Sequence, residues 1–144
     1  MSVLEEEHMP ELVRLKEISE RLISPELAVK INEILPDALV VVNNDGHIVL
    51  FNLAAELMFG YARVEVLGGP VEALLPLGVR SKHAAEHRPG YMDDPRVRPM
   101  GNNLRLAGRN KNGKEFPVEI NLAPVVTTDG TFVCAVVRRI AHRE

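Results

Sequence analysis

Apolar residues follow two different rhythms along this chain. From Glu11 to Ile23, Leu12, Leu15, Ile18 and Leu22 recur every three or four positions, with Arg14, Lys16, Glu17, Glu20 and Arg21 between them. That is the period of an amphipathic helix. Pro10 suits its first turn. Ser24-Pro25-Glu26 then places an N-cap before a proline at the first helical position, which predicts a second helix ending before Pro36. After Pro36 the rhythm shortens. Ala38 to Val42 and His47 to Phe51 are β-branched and apolar runs separated by Asn43-Asn44-Asp45-Gly46, the composition of a hairpin. Leu104 to Arg109, Glu115 to Val125 and Thr131 to Arg139 predict three more strands, joined through Lys111-Asn112-Gly113-Lys114 and Thr127-Thr128-Asp129-Gly130 into an antiparallel meander.

Side-chain alternation assigns faces to these strands. Phe116, Val118, Ile120 and Leu122 alternate with Glu115, Pro117, Glu119 and Asn121, so the first set is expected to line the core. The last strand is apolar on both faces, with Phe132, Cys134 and Val136 on one and Val133, Ala135 and Val137 on the other. Leu39 and Val41 against Val40 and Val42 repeat this in the first hairpin. Such a sheet needs cover on both faces, and the N-terminal helices or a second subunit are expected to supply the outer cover. Between the strand groups, Leu53 to Phe59 and Val79 to Glu86 read as short helices and Pro89 to Gly101 as a loop.

With 144 residues, 46% of them hydrophobic, the chain holds one ordinary domain. The expected division is a helical extension over 1–34, serving as cap or dimer seam, and an α+β domain over 35–144. A net charge of -3 with acids and bases interspersed leaves no basic block for a run of phosphates, which argues against direct nucleic-acid binding. Cys134 is the single cysteine, so no internal disulfide forms. No basic-then-apolar leader opens the chain, and the longest apolar runs are far short of the roughly 18 residues that cross a bilayer. A cytoplasmic protein without a membrane span is the expectation.

The run Asn52-Leu53-Ala54-Ala55-Glu56-Leu57-Met58-Phe59-Gly60-Tyr61 closely resembles the PAS family. Asn52 suits a helix cap, Ala54 and Ala55 allow close approach to the sheet, and Gly60 suits a left-handed helix end. Pro36-Asp37-Ala38, Asp45-Gly46, Leu67-Gly68, Leu74-Leu75-Pro76 and Gly108-Arg109-Asn110-Lys111-Asn112-Gly113-Lys114-Glu115-Phe116-Pro117-Val118-Glu119-Ile120 resemble it too, so the likeness runs from Leu35 to the C-terminus. It implies a PAS fold, a five-stranded antiparallel sheet with short helices on one face. Relatives enclose there a pocket for haem, flavin, a small metabolite or nothing. The pocket residues expected here are Met58, Leu74, Met100, Leu104, Leu106, Phe116, Val118, Ile120, Leu122 and Cys134.

Arg80-Ser81-Lys82-His83 is similar to the segment whose histidine ligates iron in oxygen-sensing haem-PAS kinases, making His83 the candidate axial ligand. Those sensors also place an arginine where this chain has Leu104. His83-Ala84-Ala85-Glu86-His87 has the letters of a zinc-protease motif, but a third ligand is lacking and Arg88-Pro89-Gly90 is expected to end the helix. Flavin-adduct photochemistry needs an Asn-Cys-Arg-like run that is absent, and the four serines have no nucleophile-elbow context. No catalytic residue and no metal site is assigned, and an enzyme is not expected. At the C-terminus Arg139-Ile140-Ala141 stands where signalling relatives carry Asp-Ile-Thr, which mildly favours a stand-alone protein whose effector is separate over one fused to it. The reading is a homodimeric regulatory module in signal transduction, of two-component or transcriptional type, binding a small ligand or a protein. Its alternatives are a haem-based gas or redox sensor and a ligand-free interaction domain.

Overall fold

The computed structural model describes Arg14 and residues 23–100 and 106–140, in two units, Met1–Ile34 and Leu35–Glu144. In the first, α1 spans Pro25–Ile34. Ser24 caps it: its Oγ accepts from the Leu27 N–H at 3.1 Å. The expected helix from Glu11 falls almost wholly outside the described residues.

The second unit is a curled antiparallel sheet with helices on one face. Its strands are β1 (Ala38–Val42), β2 (Ile48–Phe51), β3 (Arg98–Met100), β4 (Ala107–Arg109), β5 (Glu115–Thr127) and β6 (Gly130–Arg139). They lie in the order β2-β1-β6-β5-β3, with β4 also paired to β5. β3 and β4 share one edge of β5, pairing with residues 120–122 and 115–117, so five positions across the sheet are filled. Of the strand expected from Leu104, only Ala107–Arg109 is strand, with Leu104 and Arg105 outside the described residues. Arg98–Met100, within the expected loop, is a strand. Three residues around a proline carry too little alternation to announce a strand, and Pro99 sits at the sheet edge, where a missing N–H is tolerated.

The β1–β2 turn is built from Asn43, whose Oδ1 accepts from the N–H groups of Asp45 and His47, both at 3.0 Å, and from Gly46 at φ 81°. Helices α2 (Leu53–Phe59) and α3 (Arg63–Val66) follow, then 3₁₀ turns at Val71–Leu74 and Leu77–Val79. A composite helical segment comes next: α4 (Arg80–Lys82), a π turn over His83–His87, and α5 (Arg88–Asp93). The helix therefore does not end at Arg88-Pro89-Gly90. In the π turn the Arg88 N–H bonds to the His83 carbonyl, five residues back. This wider turn interrupts the usual ladder just before Pro89, which has no N–H to offer.

Buried Ala38, Val40 and Val42 of β1, Ile48 and Phe51 of β2, Phe116 and Val118 of β5, and Val133 and Val137 of β6 form the inner face against Ala55, Phe59, Val66 and Leu74. Phe59 stands between Phe51 and Phe116, with centroid separations of 6.1 and 5.6 Å. Asn52 fastens this layer. It is fully buried; its Oδ1 accepts from Leu39 N–H at 2.9 Å and Ala55 N–H at 3.0 Å, and its Nδ2 donates to the Asp37 carbonyl at 3.1 Å. One side chain thus joins the entry to β1, β1 itself and the start of α2. Asn52→Ala orphans one buried and two partly buried backbone groups, and a loss of about 3 kcal/mol of unfolding free energy is expected from urea denaturation.

Candidate functional site

The helical segment 80–93 carries the chemistry. Arg80 is held by two backbone carbonyls, Nε donating to Leu75 at 2.9 Å and Nη2 to Ala73 at 3.1 Å. One π turn holds His83 and His87, with ring centroids 6.3 Å apart. The His83 Nδ1 lies 2.6 Å from Oε2 of Glu72. Glu72, only 7% exposed, sits in the 3₁₀ turn between Val71 and Ala73. Arg88 completes the group: its Nε lies 3.3 Å from Glu72 Oε2, its Nη2 3.5 Å from Oε1, and its Nη1 donates to the Asp45 carbonyl at 2.8 Å. One buried carboxylate thus accepts from an imidazole and a guanidinium, and the guanidinium reaches the β1–β2 turn.

Sequence reasoning named His83 but missed Glu72 and Arg88. Glu72 is eleven residues from His83, across two 3₁₀ turns whose path no periodicity reveals. His83 and Arg88 are five apart, a spacing that a π turn, not an α turn, brings to one side. The one available signal was a glutamate flanked by Val71, Ala73, Leu74 and Leu75.

The expected pocket residues divide. Leu74, Phe116 and Val118 are buried in the packed core. Met58, Leu106, Ile120 and Leu122 are partly buried at its margin, as are Tyr91, Met92 and Ala135. Leu104, and the side chain of Met100, lie outside the described residues. Cys134 is a correction. It pairs with Val41 and Ala123, between the buried Val133 and the core-packed Ala135, so strand alternation turns it to the outer face. Burial there pushes its thiol up from its ordinary range, away from the thiolate form that reacts.

Around Cys134 the outer face is apolar. Leu39 and Val41 of β1, Leu50 of β2, Ala123 and Val125 of β5, and Phe132 and Val136 of β6 share it by register. At its edge Arg138 meets Asp37 at 3.3 Å, and that carboxylate raises the guanidinium's pKa further. Lys111, in the β4–β5 turn, hydrogen-bonds Glu65 and holds its carboxyl below the usual range. A polar cleft of about 260 Å³ is lined by Glu86, His87, Gly90, Tyr91, Asp94 and Arg96. Among the described residues no three His, Cys, Asp or Glu side chains gather as a metal site, and no helix is long and apolar enough to cross a membrane.

An antiparallel sheet with short helices and turns packed on one face is the architecture of solved PAS domains. The PAS domain of an HTR-like protein from Haloarcula marismortui shares this fold with a TM-score of 0.64 at 22% identity, covering 87% of this chain and 99% of that one. An RNA-binding light-oxygen-voltage receptor shares it with a TM-score of 0.68 at 20% identity, over 81% of this chain and 33% of that one. The PAS domain family model matches residues 36–139, and the chain belongs to that family as a sensory module. Sensor protein FixL of Bradyrhizobium diazoefficiens is 28% identical over 111 residues, 76% of this chain and 22% of FixL. Oxygen sensor protein DosP of Escherichia coli is 28% identical over 99 residues, 69% of this chain and 12% of DosP. The chain thus spans less than a quarter of the length of either relative.

Gly46 tests the link between helix and turn. A Cβ there would fall 2.4–2.5 Å from the Arg88 guanidinium, at a φ of 81° that strains any L side chain. Gly46→Ala is expected to lower stability by about 2 kcal/mol. Gly78→Ala, with nothing within 4 Å of the added carbon, should change it by less than about 0.5 kcal/mol in the same denaturation series.

Proposed function

We propose that this chain is the input module of a signal-transduction protein. A small ligand held between the helical segment 80–93 and the inner face of β5 and β6 biases one arrangement of the domain over another. The outer sheet face passes that bias to a second copy of the chain, with residues 1–34 serving as cap and seam. The observation that carries this reading is the two-faced sheet. Val133, Ala135 and Val137 face the core while Phe132, Cys134 and Val136, the alternate residues of the same strand, make an apolar outer surface. The effector is a separate protein or a segment fused beyond this domain, acting in a cytoplasmic two-component or transcriptional pathway. Such a mechanism shifts populations by the ligand's differential affinity for the two arrangements and by no more. Mass measurement by light scattering is expected to give a dimer for the whole chain and a smaller mass for Val41→Glu or a form lacking residues 1–34. A monomer throughout would remove the seam.

A second reading, haem as the ligand, is favoured by the donor set around His83. With Nδ1 facing a buried carboxylate, Nε2 is the nitrogen left to bind iron, the arrangement in which a metal-bound histidine is usually oriented. His83 is half-buried rather than solvated, and partly buried Tyr91, Met92, Ile120 and Leu122 lie at the core margin. The residues fit such a group: His83 would hold it, Glu72 would orient the ring, and the apolar margin would exclude water. Bound haem supplies reversible ligation of a diatomic gas or a change of redox state. Both FixL and DosP are sensors, and DosP is named for oxygen. The check is an absorption spectrum of the purified protein, repeated with added haem and after reduction. An intense visible band lost in His83→Ala is expected. A band unchanged by that substitution removes His83 from the role, and a featureless spectrum leaves a colourless ligand.

A further inference from the structure

We infer that Glu72 is a positioning residue. It fixes His83 as the tautomer protonated on Nδ1, so that a bare Nε2 is available to a ligand before any ligand arrives. The inference deepens the reading of His83 as the ligand-contacting group and rests on that reading for its purpose, though not for its test.

The geometry supplies the argument. Oε2 of Glu72 is 2.6 Å from His83 Nδ1 and 3.3 Å from Arg88 Nε, while Oε1 faces Arg88 Nη2 at 3.5 Å. Arginine stays charged and brings only donors, so the carboxylate beside it serves as an acceptor on both sides. The 2.6 Å contact then requires the proton to lie on Nδ1. In a neutral imidazole that leaves Nε2 as a lone pair. Its aromatic neighbour in the same π turn is His87. Glu72 cannot swing away cheaply, because its side chain is 9% exposed and its backbone lies in a 3₁₀ turn whose first residue, Val71, donates to the Gly46 carbonyl at 3.0 Å. Arg88 cannot follow it, being fixed to the Asp45 carbonyl of the same turn. The imidazole is thus oriented by the β1–β2 turn through two side chains rather than by its own helix alone.

The test is nitrogen-15 NMR of the histidine rings in haem-free protein at about pH 8, where an unperturbed imidazole is neutral. His83→Gln assigns the signal among the five histidines. The expected result is a pyrrole-type shift at Nδ1 and a pyridine-type shift at Nε2, reverting in Glu72→Ala to a ring protonated on Nε2. A native ring protonated on Nε2, or on both nitrogens, overturns the inference even if the variant fails to fold. So does an unchanged ring in a folded Glu72→Ala. Haem titration separates this from the cofactor reading. If haem binds through His83, Glu72→Ala should weaken it about 10–100-fold, and undiminished affinity would overturn the positioning role while leaving the haem reading standing. If haem does not bind but the native tautomer is as expected, the haem reading fails and Glu72 keeps its role.

Discussion

A carboxylate taken out of water must be compensated, and this fold is arranged around one that is. Glu72 stands in a 3₁₀ turn among Val71, Ala73 and Leu74, where an unpaired negative charge would be strongly unfavourable. His83 and Arg88 come from the following helical segment to meet it, and Arg88 continues to the Asp45 carbonyl. Meeting both side chains at once requires positions five apart to point the same way, and the π turn over His83–His87 provides that geometry. The turn in its register then tolerates Pro89 and Gly90 inside a helix that continues to Asp93. Gly46 is needed on the opposite side because the guanidinium occupies the space of its absent side chain. The helix irregularity and Gly46 follow from the compensation of one buried charge, and Pro89 is accommodated by it.

The sheet was legible because its signals are local. Alternation over Phe116 to Leu122 reads directly as an inner face, and Asn52 and Gly60 announced the two ends of α2, which the structure shows as an Asn52 cap and a left-handed Gly60. Where the signals were not local, reading failed. Arg98–Met100 became a strand only because β5 has a free edge opposite Ile120 to Leu122. The continuation through Pro89 depended on the π turn, which has no composition of its own. Cys134 was assigned inward because both faces of β6 are apolar, and only pairing with β1 and β5 decides which is which. Of the candidate site, the sequence offered His83 by resemblance; Glu72 and Arg88 required the path of the intervening chain.

The fold and the site meet in the β1–β2 hairpin. On one side its turn receives Arg88 from the helical segment; on the other, β1 pairs with β6 along Ala38 to Val42. β1 is a strand of two faces, with Ala38, Val40 and Val42 in the core and Leu39 and Val41 outside. A displacement of the helical segment that loosened Arg88 would therefore act on the strand that contributes to the proposed dimer surface, without crossing the core. Packed interiors respond to such a push by changing between discrete arrangements rather than by bending.

The size of that response is bounded by binding energetics. Moving a domain from about 1% to about 99% in one arrangement demands roughly a 10⁴-fold preference of the ligand for that arrangement. Contacts to the apolar margin alone, formed in both arrangements, contribute nothing to the preference however tight they are. A bond to His83 is different, since the ring's orientation is set by a carboxylate tied to the β1–β2 turn. A ligand bound at Nε2 favours the arrangement in which Glu72 and Arg88 hold the ring, and so discriminates between arrangements in which that turn is held and those in which it is released. On this reading the carboxylate does two things with one geometry. It presents the ring to the ligand, and it makes the ligand's bond to the ring a difference between states.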